Sequence, residues 1–159
     1  MNARRVAYTA ARTLTVERAE TAPPPDGHVR IDVAYTGICG TDLHVYHGAM
    51  DERVNPPGVL GQEMSGRIGQ VGAHVTEWQA GDAVTVMPLA SCGQCPACRA
   101  GHTHNCRRLV FLGIDAVGSM PTSWTVQADT VVRLPHSMRL DHATLVEPTA
   151  VAVHDSSPA

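Results

Sequence analysis

At residues 92–106 the chain reads CGQCPACRAGHTHNC, so four of its five cysteines lie close together with the spacing C-x2-C-x2-C-x7-C. Zinc binds four thiolates as a tetrahedron with Zn–S distances near ~2.3 Å, and two-residue gaps let one turn supply three of them. Four sulfurs leave no open coordination position. The spacing therefore predicts a structural zinc site, one ion per chain, at Cys92, Cys95, Cys98 and Cys106.

Two other uses of four cysteines remain open, an iron–sulfur cluster and a pair of disulfides. The first residues, MNARRVAYTA, carry charges but no apolar segment that would make a secretion signal. We therefore expect a cytoplasmic protein, where cysteine clusters more often hold metal than form disulfides. His102 and His104 lie within the same loop, and we expect them to face solvent because four sulfurs already complete the zinc shell.

The composition indicates a globular chain of one domain. Apolar residues make up 43% of the 159 residues and charged residues 17%, which excludes a disordered chain. The net charge is −3, and the basic pairs Arg4–Arg5 and Arg107–Arg108 are too short to hold a phosphate backbone, so no nucleic-acid partner is expected. The nearly apolar run at 109–114 is too short to span a membrane, so no membrane partner is expected.

The hydrophobic pattern predicts a mainly β fold with short helices. Val29, Ile31 and Val33 alternate with polar residues, which is the period of a half-buried strand. Strands are predicted at 4–8, 13–20, 28–35, 64–71, 83–88, 123–127 and 130–133, and helices from the turn at 37–42 through His47 and at 139–153. Gly66, Gly69 and Gly72 have the spacing G-x-x-G-x-x-G, which is not the dinucleotide fingerprint, and we expect them at bulges and turns of a bent sheet.

Four further segments resemble motifs of the zinc-dependent medium-chain alcohol dehydrogenases. GICGTDLH at 37–44 is similar to the turn that carries the catalytic zinc, and VLGQE at 59–63 resembles the family's V-L-G-H-E. GDAV at 81–84 resembles its G-D-x-V turn. EPTAVAVH at 147–154 is similar to E-P-x-A-V-A-x-H of the polyol and threonine dehydrogenase branch. The motifs occur in the family's order and extend over nearly the whole chain.

The resemblance implies a GroES-like catalytic domain over residues 1–159, a distorted antiparallel β-barrel with short helices and a zinc lobe at 92–106. Residues 139–159 would begin the connection to a Rossmann-type cofactor domain, which this sequence does not contain. NAD(P) would then bind only together with such a domain, which could belong to a separate chain. The implied substrate is a small alcohol or polyol, and oligomers are possible.

The resemblance also implies a second, catalytic zinc. Cys39 would bind it, with Glu63 and Glu147 at or near the metal, and zinc would polarise the alcohol oxygen as a Lewis acid. Thr41 would accept the alcohol's proton and pass it through the cofactor ribose towards His44. Asp42 would orient a metal-binding imidazole.

The sequence departs from the family at position 62, where glutamine replaces the histidine ligand. An amide oxygen is a weak donor and is not a usual zinc ligand, so we expect the second site to be empty or partly filled. The sequence leaves two alternative functions open. The chain is either the catalytic-domain portion of a zinc-dependent, NAD(P)-linked oxidoreductase, lacking dehydrogenase activity by itself, or a non-catalytic module that keeps the fold and the structural zinc.

Overall fold

A computed structural model describes residues 3–156 of the chain. Its strands are β1 (Ala3–Ala10), β2 (Thr13–Ala19), β3 (His28–Thr36), β4 (Met64–Val71), β5 (Ala83–Val86), β6 (Leu89–Ala90), β7 (Val110–Phe111), β8 (Ser123–Gln127) and β9 (Val131–Arg133). Its helices are α1 (Gly40–Tyr46), α2 (Pro96–Arg99), α3 (Leu140–Ala143) and α4 (Val146–Ser156). The mainly β prediction is confirmed.

The central sheet has the strand order β8-β3-β4-β5-β9, and all its pairs are antiparallel. Ile31 in β3 lies between Trp124 of β8 and Ile68 of β4, and all three side chains are buried. Every pair of strands described here is antiparallel, including those of the two smaller sheets.

The sheet bends where β3 and β4 pair, because their register shifts at two positions. Gly66 lies so close to β3 that a Cβ there would stand 2.5 Å from the carbonyl oxygen of Asp32. A side chain at this position would push the strands apart. Gly66 therefore allows the close approach of β3 and β4 where their register shifts.

A second core cluster joins the β1–β2 hairpin to α1. Tyr8, Val45 and Leu60 are buried together there, with Val54 and Ile114. The hydroxyl of Tyr8 donates a 2.5 Å hydrogen bond to Asp51. This packing fixes α1, and with it the turn at 37–42, against the barrel.

The sequence predicted one helix at 139–153, but the structure has two helices there, α3 and α4. The reason is local. Pro148 lies in the first turn of α4, where its missing N–H costs little. It cannot donate to the carbonyl of Thr144, so one continuous helix cannot pass this point. Residues 157–159 of the predicted connection lie outside the described residues. Within 3–156, the helices are too short or too polar for any of them to cross a lipid bilayer.

Candidate metal lobe and cleft

The cysteine lobe is a long loop closed at its neck by the pairing of β6 with β7. Cys95 precedes α2, and Pro96 at the first helical position suits that start because its missing N–H has no partner there anyway. Gly93 and Gly101 adopt φ of +66° and +86°, where a side chain would be strained. These turns bring all four cysteines to one point.

The four sulfurs lie within 4.8 Å of one another. The sulfur of Cys98 is 3.5 Å from that of Cys95 and 4.0 Å from that of Cys92. A tetrahedral ion with Zn–S distances near ~2.3 Å separates its sulfurs by ~3.8 Å, so the donor set fits zinc. All four cysteines are free thiols rather than disulfides.

Backbone N–H groups near Cys92 and Cys95 favour the thiolate forms of these two residues. The N–H groups of Gln94 and Cys95 lower the pKa of Cys92 to about 5, with a smaller contribution from Arg108. The N–H groups of Cys98 and Arg107 lower the pKa of Cys95. Thiolates are the form that binds metal, so this backbone arrangement prepares the lobe for an ion.

The remaining two sulfurs differ from each other. Cys106 accepts hydrogen bonds from the backbone N–H of Cys92 and of Arg108, each at 3.3 Å. Burial, followed by contact with the neighbouring sulfurs, raises the pKa of Cys98 to about 11. The surroundings of Cys98 therefore favour its protonated form, in contrast to those of Cys92 and Cys95.

The second predicted site begins at Cys39, which caps the N-terminus of α1. Its sulfur accepts a 3.4 Å hydrogen bond from the N–H of Asp42, and Asp42 Oδ2 accepts one from the N–H of Cys39 at 2.9 Å. Asp42 Oδ1 also accepts from the N–H of Gly61 at 3.1 Å, and Asp42 is 5% exposed. Asp42 therefore joins the Cys39 turn to the segment that carries Gln62.

Gln62 and Glu147 meet although they are distant in sequence. Gln62 Nε2 lies 3.5 Å from Glu147 Oε1, which links the segment just before β4 to α4. Burial raises the pKa of Glu147, and the negative charge of Glu63 adds to the effect. The amide thus occupies one oxygen of a carboxylate that was predicted to lie at the metal.

Glu63 lies against the Cys39 turn from the other side. A Cβ on Gly37 would stand 2.5 Å from Glu63 Oε2 and 3.1 Å from Glu63 Cβ, so a larger residue there would displace the Glu63 side chain. Burial raises the pKa of Glu63, and the nearby charge of Asp42 adds to it. Cys39, Asp42, Gln62, Glu63 and Glu147 thus form one cluster, which we call the Cys39 cleft, and its three carboxylates repel one another.

Among residues 3–156, only the four lobe cysteines form a set of three or more Cys, His, Asp or Glu side chains gathered tightly enough to hold an ion. Cys39, Glu63 and Glu147 do not gather in this way, so their assignment as ligands stays a prediction. Thr41 and His44 are three residues apart on α1, where side chains share a face, with Thr41 half-buried and His44 exposed. Their relay role also stays a prediction.

A cavity of about 620 Å³ lies between α4 and the strands that lead into the lobe. Gln62 and Glu147 line it together with apolar side chains such as Leu89 and Phe111. His104 is exposed, as predicted, but it also lines this cavity with His154, and their ring centres are 6.5 Å apart. Nothing local in the sequence signals this pairing, because the two histidines lie on separate elements.

The chain is similar to known dehydrogenases over most of its length. The family pattern of the alcohol dehydrogenase GroES-like domain matches residues 25–136. The 2-dehydro-3-deoxy-L-galactonate 5-dehydrogenase of Pseudoalteromonas atlantica is 47% identical over 148 residues, covering 93% of this chain and 43% of that protein. The L-threonine 3-dehydrogenase of Pyrococcus abyssi is 39% identical, covering 82% of this chain and 38% of that protein.

Solved structures agree with the sequence comparison. An alcohol dehydrogenase from Escherichia coli CFT073 in complex with NADH superimposes with a TM-score of 0.88 at 30% identity, over 96% of this chain and 44% of that one. Galactitol-1-phosphate dehydrogenase from Escherichia coli gives a TM-score of 0.85 at 30% identity, over 95% of this chain and 43% of that one. The chain therefore spans less than half the length of these relatives, and the GroES-like fold prediction is confirmed.

Proposed function

Because the chain belongs to the GroES-like domain family of zinc-type medium-chain alcohol dehydrogenases, we propose that it is the catalytic-domain portion of a zinc-dependent, NAD(P)-linked enzyme for a small alcohol or polyol. The observation that carries this proposal is the cleft. There, Gln62 and Glu147 line a largely apolar cavity, and Asp42 joins the Cys39 turn to the segment just before Gln62. Such a cavity with few polar groups is typical of small-molecule sites.

One zinc ion is proposed in the cysteine lobe. Most residues of the loop at 92–106 are exposed and Cys92 and Cys95 are only half-buried, so the lobe has little core of its own. Small loops of this kind depend on the metal for their structure. Four thiols kept free for a metal also suit a reducing compartment, which supports the proposed location in the cytoplasm.

At the cleft, a bound catalytic zinc would supply Lewis-acid chemistry. The side chains here do not fit that ion as well as the lobe fits its own, because Gln62 is a weak donor and holds Glu147 by a hydrogen bond. What the chain itself supplies is an apolar wall that positions the substrate's carbon chain. Thr41 is proposed to take the hydroxyl proton and His44 to pass it on.

Hydride transfer is proposed to need a further domain. Dinucleotides bind where a glycine-rich turn leads from a parallel strand into a helix, and neither the sequence nor the antiparallel sheets offer such a turn. The cofactor domain would come from the rest of a longer protein or from a separate chain, and an oligomer could bring the two together. We therefore expect this chain alone neither to bind NAD(P) nor to oxidise alcohols.

The test compares four proteins: the chain, its Gln62→His variant, and each of these fused after His154 to the cofactor domain of the Pseudoalteromonas atlantica relative. Calorimetry with NAD and NADP and a cofactor-reduction assay with a panel of alcohols and polyols are the measurements. We expect cofactor binding only in the fusions, and turnover that is greatest in the Gln62→His fusion. Submillimolar cofactor binding by the unfused chain would contradict the proposal.

A second candidate function is a non-catalytic zinc module. The hydrogen bond between Gln62 and Glu147 favours it, because this contact joins α4 to the barrel without any metal. The same experiment separates the two functions. If the Gln62→His fusion binds NAD(P) and a second zinc but oxidises nothing in the panel, the chain is a structural module.

A further inference from the structure

The cavity between α4 and the strands that lead into the lobe has polar groups at two separate places. Ala150, Val151 and His154 follow Glu147 by three, four and seven residues, which is the spacing of one helix face, and all four line the cavity. Gln62 accompanies Glu147 at one end of this face, and His154 is at the other end. An apolar wall therefore separates an amide and a carboxyl group from an imidazole.

A second imidazole reaches the same end of the cavity from the cysteine lobe. His104 lines the cavity with His154, and their ring centres are 6.5 Å apart. Two imidazoles joined by a hydrogen bond have ring centres about 5 Å apart, so these rings do not bond to each other. Among residues 3–156, neither ring hydrogen-bonds to another protein group, and each keeps an N–H donor for a ligand.

The histidine pair has the geometry of an anion site. An oxygen that accepts from one N–H of each ring would lie about 4 Å from both ring centres, and a separation of 6.5 Å allows this. A negatively charged oxygen makes the stronger hydrogen bonds. Residues 83–114, which form the lobe and its neck, contain three arginines and neither aspartate nor glutamate. These positive charges exceed the −2 of a Zn²⁺ ion with four thiolates, so the lobe does not repel an anion.

We propose that His104 and His154 bind a terminal anionic group of the substrate, so that the substrate is a polyol acid or a polyol phosphate rather than a neutral alcohol. This inference rests on the proposed function and narrows its substrate class. The anionic group goes to the histidine end because Glu147, a carboxyl group itself, offers an anion no favourable contact. Gln62 and Glu147 are then left to hydrogen-bond hydroxyl groups of the substrate. The two histidines determine specificity and take no part in hydride transfer.

The helix α4 sets the length of the substrate that fits. Glu147 and His154 are seven residues apart, which corresponds to ~10.5 Å along a helix axis. A hydrogen bond at each end takes up ~2.8 Å, which leaves ~5 Å for the carbon chain. An extended chain advances ~1.2 Å per bond, so about four carbon–carbon bonds bridge the distance. The substrate is therefore expected to have about five carbons.

Calorimetry on the purified chain, at fixed pH and ionic strength, compares four probes. D-arabinonate and the terminal phosphate ester of D-arabinitol have five carbons and an anionic end. D-arabinitol has the same length without the charge, and D-glycerate has the charge on three carbons. We expect D-arabinonate to bind roughly tenfold more tightly than D-arabinitol and about fivefold more tightly than D-glycerate. The tighter of the two five-carbon anions identifies the group as carboxylate or phosphate.

Variants then locate the anion site. His154→Leu and His104→Leu should each weaken D-arabinonate binding by about fivefold, through loss of one charge-assisted hydrogen bond, and change D-arabinitol binding by less than about twofold. His154→Gln retains an N–H donor and should recover part of the loss. His102→Leu is the matched control, since His102 is exposed in the same loop but does not line the cavity. It should change neither dissociation constant by more than about twofold.

Nuclear magnetic resonance of the unmodified chain provides a measurement that needs no variant to fold. In a chain with isotope-labelled histidine, D-arabinonate should shift the ring signals of two residues, and D-arabinitol should shift them less. Sequential assignment through the backbone should identify these residues as His104 and His154. Shifts confined to other histidines would contradict the inference.

Equal binding of D-arabinonate and D-arabinitol would overturn the inference and leave the proposed function with a neutral polyol as its substrate. Tighter binding of D-arabinonate that His104→Leu and His154→Leu both leave unchanged would also overturn it, as would the absence of binding by every probe at about 50 mM. Anion binding at the two histidines, together with no alcohol oxidation by the fused proteins described above, would instead contradict the proposed function and leave the anion site standing.

Discussion

Asp42 should be the most important single carboxylate for the stability of the cleft. It is 5% exposed and accepts hydrogen bonds from two backbone N–H groups, those of Cys39 at 2.9 Å and Gly61 at 3.1 Å. Asp42 was also predicted to orient a metal-binding imidazole, but position 62 holds glutamine, so there is no imidazole for it to orient. Replacing Asp42 by alanine therefore tests the structural contacts alone.

The magnitude follows from these two contacts. Loss of a helix N-cap contact costs about 0.5–2 kcal/mol, and an unsatisfied buried N–H, as at Gly61, costs about 1–3 kcal/mol. Cys39 is half-buried, so water can replace part of the first contact. We expect Asp42→Ala to lower the free energy of unfolding by about 2–4 kcal/mol, and Asp42→Asn, which keeps one acceptor oxygen, by about half as much.

The assay is urea unfolding at a fixed concentration of free zinc, since a bound metal shifts apparent stability. Asp129→Ala is the control, because Asp129 lies at an exposed position in a short turn and should cost less than about 0.5 kcal/mol. If Asp42→Ala and Asp129→Ala unfold at the same urea concentration with equal slopes, Asp42 does not hold the two segments together and the reasoning fails.

Three further outcomes are expected. Gln62→His should raise zinc from one towards two ions per chain by elemental analysis, whereas two tight zinc ions in the unmodified chain would show that Gln62 has been misjudged. The hydrogen bond to Asp51 raises the pKa of Tyr8 to about 12 from its ordinary 10.0, so the folded state favours the protonated phenol; the stability from this group is complete below pH 10 and is lost as pH rises towards 12. In urea midpoints measured over that range, Tyr8→Phe should lack this loss, and parallel curves for the two proteins would count against the assignment. Removing zinc with a chelator should increase hydrogen exchange at 92–106 and leave β3 and β4 protected, and uniform deprotection of the chain would show that the lobe is not a separate unit.

Local signals in the sequence predicted most of the strands. The alternation around Ile31 predicts a strand with one buried face, and the structure places Ile31 between two buried neighbours. The cysteine spacing predicts the lobe because a metal site of this kind is assembled from one short segment. The glycines of β4 are explained by a close approach of two strands, which the sequence only suggests.

Contacts between distant segments were not predictable in the same way. Gln62 and Glu147 are 85 residues apart, and nothing local in either segment signals their hydrogen bond. Arg107 and Arg108 are adjacent in a short basic pair, yet only the folded loop brings the guanidinium of Arg108 to the side chain of Gln94. The break between α3 and α4 depends on Pro148, whose ring prevents one continuous helix although the hydrophobic pattern continues through it.

The coordination of zinc in the purified chain tests the account most directly. X-ray absorption at the zinc edge reports the type and distance of the ligands around the bound ion. The account predicts four sulfur ligands near ~2.3 Å, with no nitrogen or oxygen, because the lobe is filled and the Cys39 cleft is not. A spectrum with a substantial share of oxygen or nitrogen ligands, or a chain with two disulfides and less than half a zinc ion, would contradict it.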